Sequence, residues 1–376
     1  MARTINPDNQ KLALAGLISA GISEINKVGI DQISVNSVTL EAKTSRPTFY
    51  SYLGDINGLL AEIWLAKSDQ WLEMISDPIT PIAKRSKAEQ ALNNALTQIF
   101  ATAHRIPEVL ELVEPKMLTW WESHSNLSEL GKLKLAWLVA NRIGITVTEL
   151  ADPEVTQAAF IEQVINAIDD QAIIKLANQD LPKLSEPAVV VLDLEAKLLN
   201  AAIEVIASSG VKAASMARVA RKAQVSTGAV YPRFSRVDEL IESSFETAIR
   251  SIIQQNFEQL NSRAFSGEDF GNFVMAGLLP ARKIWRNFRI EIHLGCIGRP
   301  DLAKRLKNNL AGTNAMVATR LTPYDKTEMS QGPIPYMVHA VGIGMAALQN
   351  AGIPLLALDH RLISIEMVRI ALSQAK

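Results

Sequence analysis

Cysteine is nearly missing from this chain: Cys296 is the single one among 376 residues. One thiol cannot close an intramolecular disulfide, so the fold must rest on packing, and the sequence suits a reducing compartment. Cys296 itself reads as a small buried apolar residue rather than a redox sensor. An excess of charge is also missing. The 38 lysines and arginines nearly balance 39 aspartates and glutamates, for a net charge of −1. No overall field draws the chain to nucleic acid or a membrane, and any attraction must come from local clustering. Apolar runs such as AVVVL at 188–192 are far too short to span a bilayer. The opening MARTINPDNQ is polar, with no apolar signal segment behind it, which reads as cytoplasmic.

Chemistry-bearing motifs are absent as well. There is no glycine-rich phosphate loop and no nucleophile elbow, so no catalytic residue is expected. His104, His124, His293, His339 and His360 are scattered without ligand spacing, so no metal site and no cofactor are expected. What is present is ordinary globular material, 48% apolar and 20% charged, in a length that suits two or three domains.

The informative feature is a repeat. Sliding the chain by 181 residues pairs 17–60 with 198–241 without a gap, and 11 of the 44 positions are identical. Among them are Leu17 and Leu198, Ile25 and Ile206, Gly29 and Gly210, Ser34 and Ser215, Val38 and Val219, Ser45 and Ser226, and Tyr50 and Tyr231. They fall on core and cap positions, which is the signature of a duplicated unit.

Each copy reads as helices. Asn6 and Pro7 start the first, and apolar residues at helical spacing run through Ile25. Gly29 and Gly210 stop it in a left-handed conformation. Ser34 and Ser215 cap a short second helix, and Ser45 and Ser226 a third, with Phe49 and Leu53, or Val230 and Phe234, pointing to the core. A fourth starts at Asp55, or at Ser235 with Asp238 completing a capping box. Helical pattern continues over 87–104, 127–150, 154–178, 240–262, 334–351 and 359–375, with strand signals nearly absent. The fold class is therefore all-α. LPKLSEPAVVVLD at 181–193 breaks the pattern as an extended linker, with Asp193 capping the next helix.

Two short helices joined by a tight turn make a helix-turn-helix, whose second helix is the element that enters a major groove in DNA-binding proteins, although the same geometry serves as plain packing in many helical proteins. Its exposed positions are Arg46, Pro47, Thr48, Tyr50 and Ser51 in the first copy. In the second they are Thr227, Gly228, Ala229, Tyr231 and Arg233. Small or flat residues permit close approach to base edges, and a tyrosine hydroxyl can donate to a phosphate.

The segments SRPTFYSYLGDINGLL and AIEVIASSGVKAASMARVARKAQVSTGAVYPRF resemble the N-terminal domain of the tetracycline-repressor (TetR) family of bacterial transcription regulators. That resemblance implies an all-helical fold with a variable C-terminal domain that binds small molecules, and a dimer built from the last two helices. HRIPEVLEL at 104–112 and GRPDLAKRL at 298–306 look like the family's sixth helix. RIGITVTELA at 142–151 and GIGMAALQNA at 342–351 look like equivalent dimerisation helices. The chain departs from the family where a lysine usually opens the fourth helix, since Ile56 and Val237 stand there. Arg236 can substitute in the second copy, whereas Asp55 precedes Ile56 in the first.

The two copies are not electrostatic equals. Residues 212–236 hold Lys212, Arg218, Arg221, Lys222, Arg233 and Arg236 and no acid. The matching window 31–55 holds Lys43 and Arg46 against Asp31, Glu41 and Asp55. Phosphate neutralisation supplies most non-specific DNA affinity, so the second copy is the expected anchor.

The expected organisation is a first DNA-binding domain at 1–60, a regulatory domain at 61–181, a linker at 182–193, a second DNA-binding domain at 194–245 and a second regulatory domain at 246–376. The C-terminal portions should pack on each other as an intramolecular pseudo-dimer, with a further homodimer open. Double-stranded DNA is the expected partner, at an asymmetric operator. Met117, Trp120, Trp121 and Trp137, with Trp285, Phe288, Met316, Tyr336 and Met337, are candidates to line pockets for a small hydrophobic effector. Core packing is the plainer role for each. The rival reading is a protein-interaction or ligand-sensing module that has kept the fold and lost DNA binding in one or both copies.

Overall fold

A computed structural model describes residues 7–149, 158–172, 174, 193–258, 266–321 and 333–374. Side chains are described over the same residues except 7–9, 158–160, 252–258, 312–321, 333–338 and 371–374. Most described residues are helical, and none is in a strand. The chain forms two compact units, 1–117 and 118–376.

The first unit contains α1 (Pro7–Val28), α2 (Val35–Glu41), α3 (Arg46–Leu53), α4 (Ile56–Ser76), α5 (Lys87–Thr102) and the first turns of α6 (Pro107–Glu122). Side-chain caps start most of them. Ser34 closes a capping box with Ser37 at α2, Ser45 accepts from the Thr48 amide at α3, and Asp55 accepts from the Gly58 amide at α4. Ser86 and Glu89 form a second box at α5. Leu17, Ile25, Val38, Phe49 and Leu59 are buried where α1, α2, α3 and α4 meet. Trp64 stacks on Phe100 at 6.0 Å, and Trp71 packs 5.1 Å from the same ring, binding α4 to α5.

The second unit holds α7 (Glu129–Glu149), α8 (Ala158–Asn166), α9 (Leu194–Ser209), α10 (Met216–Lys222) and α11 (Val237–Glu258). It continues with α12 (Gly267–Leu278), α13 (Lys283–Leu294), α14 (Pro300–Leu321), α15 (Pro333–Asn350) and α16 (His360–Gln374). The carboxylate of Asp193 accepts from the Ala196 amide at 2.8 Å and starts α9 as expected, while 181–192 lie outside the described residues. One apolar cluster joins α9 to α10 through Leu198, Ala202, Val219, Val230 and Phe234. Another joins α9 to α11 and α13 through Ile203, Ile206, Phe245, Phe288 and Ile292.

The helices α7 and α15 pack at very close range. A Cβ on Gly144 would stand 1.7 Å from the Ala340 carbonyl oxygen, and one on Gly344 would stand 1.8 Å from that of Ala140. Arg142 of α7 meets Glu162 of α8 in a buried ion pair at 3.1 Å. Trp137 donates its indole N–H to Nδ1 of His360, the first residue of α16, at 3.0 Å. Gly271 of α12 leaves room for the backbone of Arg361 in α16, where a Cβ would come within 2.5 Å.

Two local expectations change. The pattern at 154–178 suggested one long helix, but α8 ends at Asn166. Lys134 donates to the carbonyls of Asn166 and Ile168 there, and Asp169 turns the chain by accepting from the Gln171 amide. Both offer the backbone an alternative to another helical turn. At α11 the carboxylate that reaches back to Ser235 is that of Glu239, at 2.8 Å from its amide, whereas Asp238 pairs with Arg299 at 2.7 Å.

Candidate nucleic-acid interface

The turn between α2 and α3 has a counterpart 181 residues later. Ala42 has φ −74° and ψ −3°, and Ala223 has φ −74° and ψ −4°. Lys43 follows in the left-handed region at φ 50°, and Gln224 at φ 56°. Before each short helix, Gly29 and Gly210 take φ 80° and 79°, a conformation that glycine adopts without steric cost. Lys43 and Gln224 were not singled out in the sequence. Their signal is positional: a one-residue reversal between an alanine C-cap and a capping serine needs a positive φ, whichever residue stands there.

In the first unit α3 is a regular helix, helped by Pro47 in its first turn. Arg46, Pro47, Tyr50 and Ser51 are exposed on it, Tyr50 by 53%. Thr48 is half-buried, and its hydroxyl is already engaged with Ser45 at 2.8 Å. The three acids of this window have local partners. Asp31 holds Arg105 at 2.5 Å, Glu41 holds Lys27 at 2.9 Å, and Asp55 serves as the cap of α4. Lys27 and Ser23 hold the Glu41 carboxyl below its usual range.

The second unit differs at the same point. Residues 227–229 form a 3-10 turn, followed by further turns to Arg233, and Ser226 makes no side-chain cap bond. The expected capped third helix is therefore not formed. Gly228 disfavours a helix by about 1 kcal/mol relative to alanine, and Pro232 has no N–H to donate. Val230 and Phe234 are nonetheless buried, at 0% and 3% exposure, and pin the segment to α9 and α10. The segment keeps its buried anchors without a full helical ladder.

This shape turns Tyr231, Arg233 and Arg236 to solvent, with Tyr231 57% exposed. Gly228 is exposed, and Thr227 and Ala229 are half-buried. Arg218, Arg221 and Lys222 are exposed on α10. Arg218 donates to the Ser209 hydroxyl at 2.7 Å, and Lys222 pairs with Glu204 at 2.6 Å in a half-exposed bridge of little strength. Among the described residues, Arg221, Arg233 and Arg236 form no ion pair. Their charge is available to an incoming anion.

The proposed effector-lining residues lie in several environments. Met117 is fully buried in α6. Trp120 and Trp121 are half-buried, 6.2 Å apart between ring centres, with His124 5.2 Å from Trp120. Trp137 is fully buried edge-on to Phe270 at 5.3 Å, and Phe288 faces Phe245 at 6.4 Å with Trp285 against the same cluster. The side chains of Met316, Tyr336 and Met337 lie outside the described residues. No described helix is long and apolar enough to cross a membrane.

Comparison with known proteins bears on this second helix-turn-helix. No curated protein matches the chain significantly. Among solved structures, a transcriptional regulator from Rhodococcus sp. Rha1 matches with 22% identity and a TM-score of 0.38, over 48% of this chain and 95% of that one. Residues 198–243, from α9 into α11, match the family model of bacterial regulatory proteins of the tetR family. Through that segment, which carries Arg218, Arg221, Lys222 and Tyr231, the chain is similar to those regulators.

Proposed function

We propose that the chain is a DNA-binding transcriptional regulator, a repressor released by a small effector, in which two TetR-like halves share one polypeptide. The observation that carries this reading is the set of exposed arginines without ion pairs, Arg221, Arg233 and Arg236, around the exposed Tyr231. All four lie within the segment that matches the tetR family model. Arginine forks suit phosphate oxygens, and a helix-turn-helix presents them along a groove.

A duplication is supported by the paired backbone angles at 29 and 210, 42 and 223, and 43 and 224. The pseudo-dimer is supported by the reciprocal contacts of Gly144 with Ala340 and Gly344 with Ala140, the pattern of a two-fold interface. On this reading the operator is asymmetric, because SRPTFY and STGAVY present different side chains. The effector acts by binding one arrangement of the two heads better than the other. The protein works in the cytoplasm, with a further homodimer of whole chains open to it.

A second reading, an interaction module without DNA binding, is favoured by the first head alone, where three acids outnumber two bases over 31–55. Gel retardation with DNA from upstream of the protein's own gene separates the two. Selective, salt-sensitive retardation that Arg221→Ala weakens supports regulation. Each lost arginine–phosphate contact should lower the slope of log K against log salt by about one. No retardation at low salt leaves the interaction role. A footprint with two identical half-sites contradicts the asymmetric operator.

A further inference from the structure

Three residues of the second unit form a closed hydrogen-bonded set on α13 and α15. The Nδ1 of His293 lies 2.6 Å from the Arg289 carbonyl oxygen, so it carries the proton and donates. The Nε2 of His293 must then accept, and the Nε2–H of His339 donates to it at 2.9 Å. That leaves Nδ1 of His339 as the acceptor for Nη2 of Arg289 at 3.2 Å, while Nη2 also reaches the His339 carbonyl at 2.8 Å. The network fixes both tautomers and has room for no further proton. Burial and the neighbouring guanidinium push the His293 pKa down to about 4 and hold His339 well below its usual value. Near neutrality the cluster carries one positive charge, on Arg289.

That charge is unmatched. Among the described residues no carboxylate pairs with Arg289, and its Nη1 and Nε donate to no protein acceptor. Burial lowers its pKa to about 10, with no carboxylate raising it. Arg286, one turn earlier, instead places Nη1 on the carbonyls of Gly277 and Leu279 and ties α12 to α13. Gly342 makes the berth for Arg289: a Cβ there would lie 3.1 Å from Nη1 and 3.2 Å from Nη2. Arg289 and His339 are only half-buried, so the guanidinium remains within reach of solvent. Phe245 is edge-on to His293 at 6.5 Å and belongs to the apolar cluster beside them. Nε and Nη1 are thus two charged donors that no described protein group meets, open to solvent or to an incoming acceptor.

We propose that Arg289, oriented by His339 and His293, receives the carboxylate of an amphiphilic organic acid whose apolar part lies against Trp285, which is half-buried one turn earlier on the same face of α13. This deepens the reading of the chain as an effector-responsive regulator and rests on it for biological meaning, though not for the binding itself. The site is carried by α13 and α15, and α15 also forms the glycine contact with α7, so occupancy bears on that contact.

The test uses the full chain without DNA, so that its failure is separate from a failure of DNA binding. Octanoate is titrated calorimetrically beside octanamide, which has the same tail without the charge. In parallel, the Cε1–H signals of His293 and His339, assigned with H293Q and H339Q, are followed by NMR during acetate and matched chloride additions. The expected result is saturable octanoate binding and acetate-specific shifts of both histidines. Arg289→Met should weaken octanoate about ten- to a hundredfold, as loss of a charged hydrogen bond does, and leave octanamide unchanged. Arg289→Lys should retain part of the carboxylate preference. Circular dichroism like that of the parent shows that the variants fold. Absence of histidine shifts with acetate, or octanoate binding equal in the parent and Arg289→Met, overturns the proposal.

Discussion

Gly144 of α7 and Ala340 of α15 meet backbone to backbone, and Gly344 and Ala140 meet the same way across the same seam. Neither glycine has a positive φ among the residues described, so conformational freedom is not the reason for it. Close approach is. A side chain at either position would occupy the space of a carbonyl oxygen.

Gly144→Ala should therefore destabilise the protein by about 1–3 kcal/mol, the usual cost of overpacking, or more if the helices cannot part. Gly16→Ala is the control, in the interior of α1 with nothing within 4 Å of its added methyl. It should stabilise by roughly 0.5–1 kcal/mol through helix propensity. Urea melts followed by circular dichroism read both, and equal effects would refute the packing argument.

Two serines expected to cap short helices, Ser34 and Ser226, should behave differently from each other. Ser34→Ala removes a capping box and should cost about 1 kcal/mol. Ser226→Ala removes no cap bond and should stay within about 0.5 kcal/mol of the parent. A large loss at Ser226 would show that 226–234 takes a capped helix in solution.

The buried Arg142–Glu162 pair sets a third expectation. Glu162→Ala should cost about 3–5 kcal/mol, because it takes the carboxylate away from a guanidinium with 1% of its side chain exposed. Replacing the pair together with apolar residues should cost much less. Urea melts of both variants decide it.

Acid should weaken the fold through buried histidines. Burial lowers the pKa of both His293 and His360 to about 4 from an ordinary 6.5. A depressed folded value means that the unfolded chain binds more protons between those limits. The contribution is full above about pH 6.5 and is lost as pH falls toward 4. Thermal midpoints measured across that window should decline, and His360→Gln should flatten the decline. A flat profile in the parent would show that these imidazoles are not held neutral.

What could be read in the sequence is what short-range chemistry decides. Gly29, Ser34, Ser45, Asp55 and Asp193 mark helix ends because their backbone angles or side-chain oxygens act within a few residues. The exposure of Tyr50 and Tyr231 followed from the apolar spacing of Phe49 and Leu53, and of Val230 and Phe234. The irregular path of 226–234 was misread because shared cap positions outweighed Gly228 and Pro232, which were present to be seen. The Arg289–His293–His339 set was hidden for another reason. His293 and His339 are 46 residues apart, and only the packing of α15 on α13 brings their rings together. The same holds for Trp137 and His360, 223 residues apart.

The seam between α7 and α15 has one further consequence, which follows from both helices belonging to a single polypeptide. Dilution cannot separate them, so the arrangement persists however few molecules a cell contains. A substitution also falls on one face of the seam alone. In a symmetric homodimer each change arrives twice and must suit both sides. Here α7 carries Arg142, paired with Glu162, while α15 carries Gly342, which leaves space for Arg289.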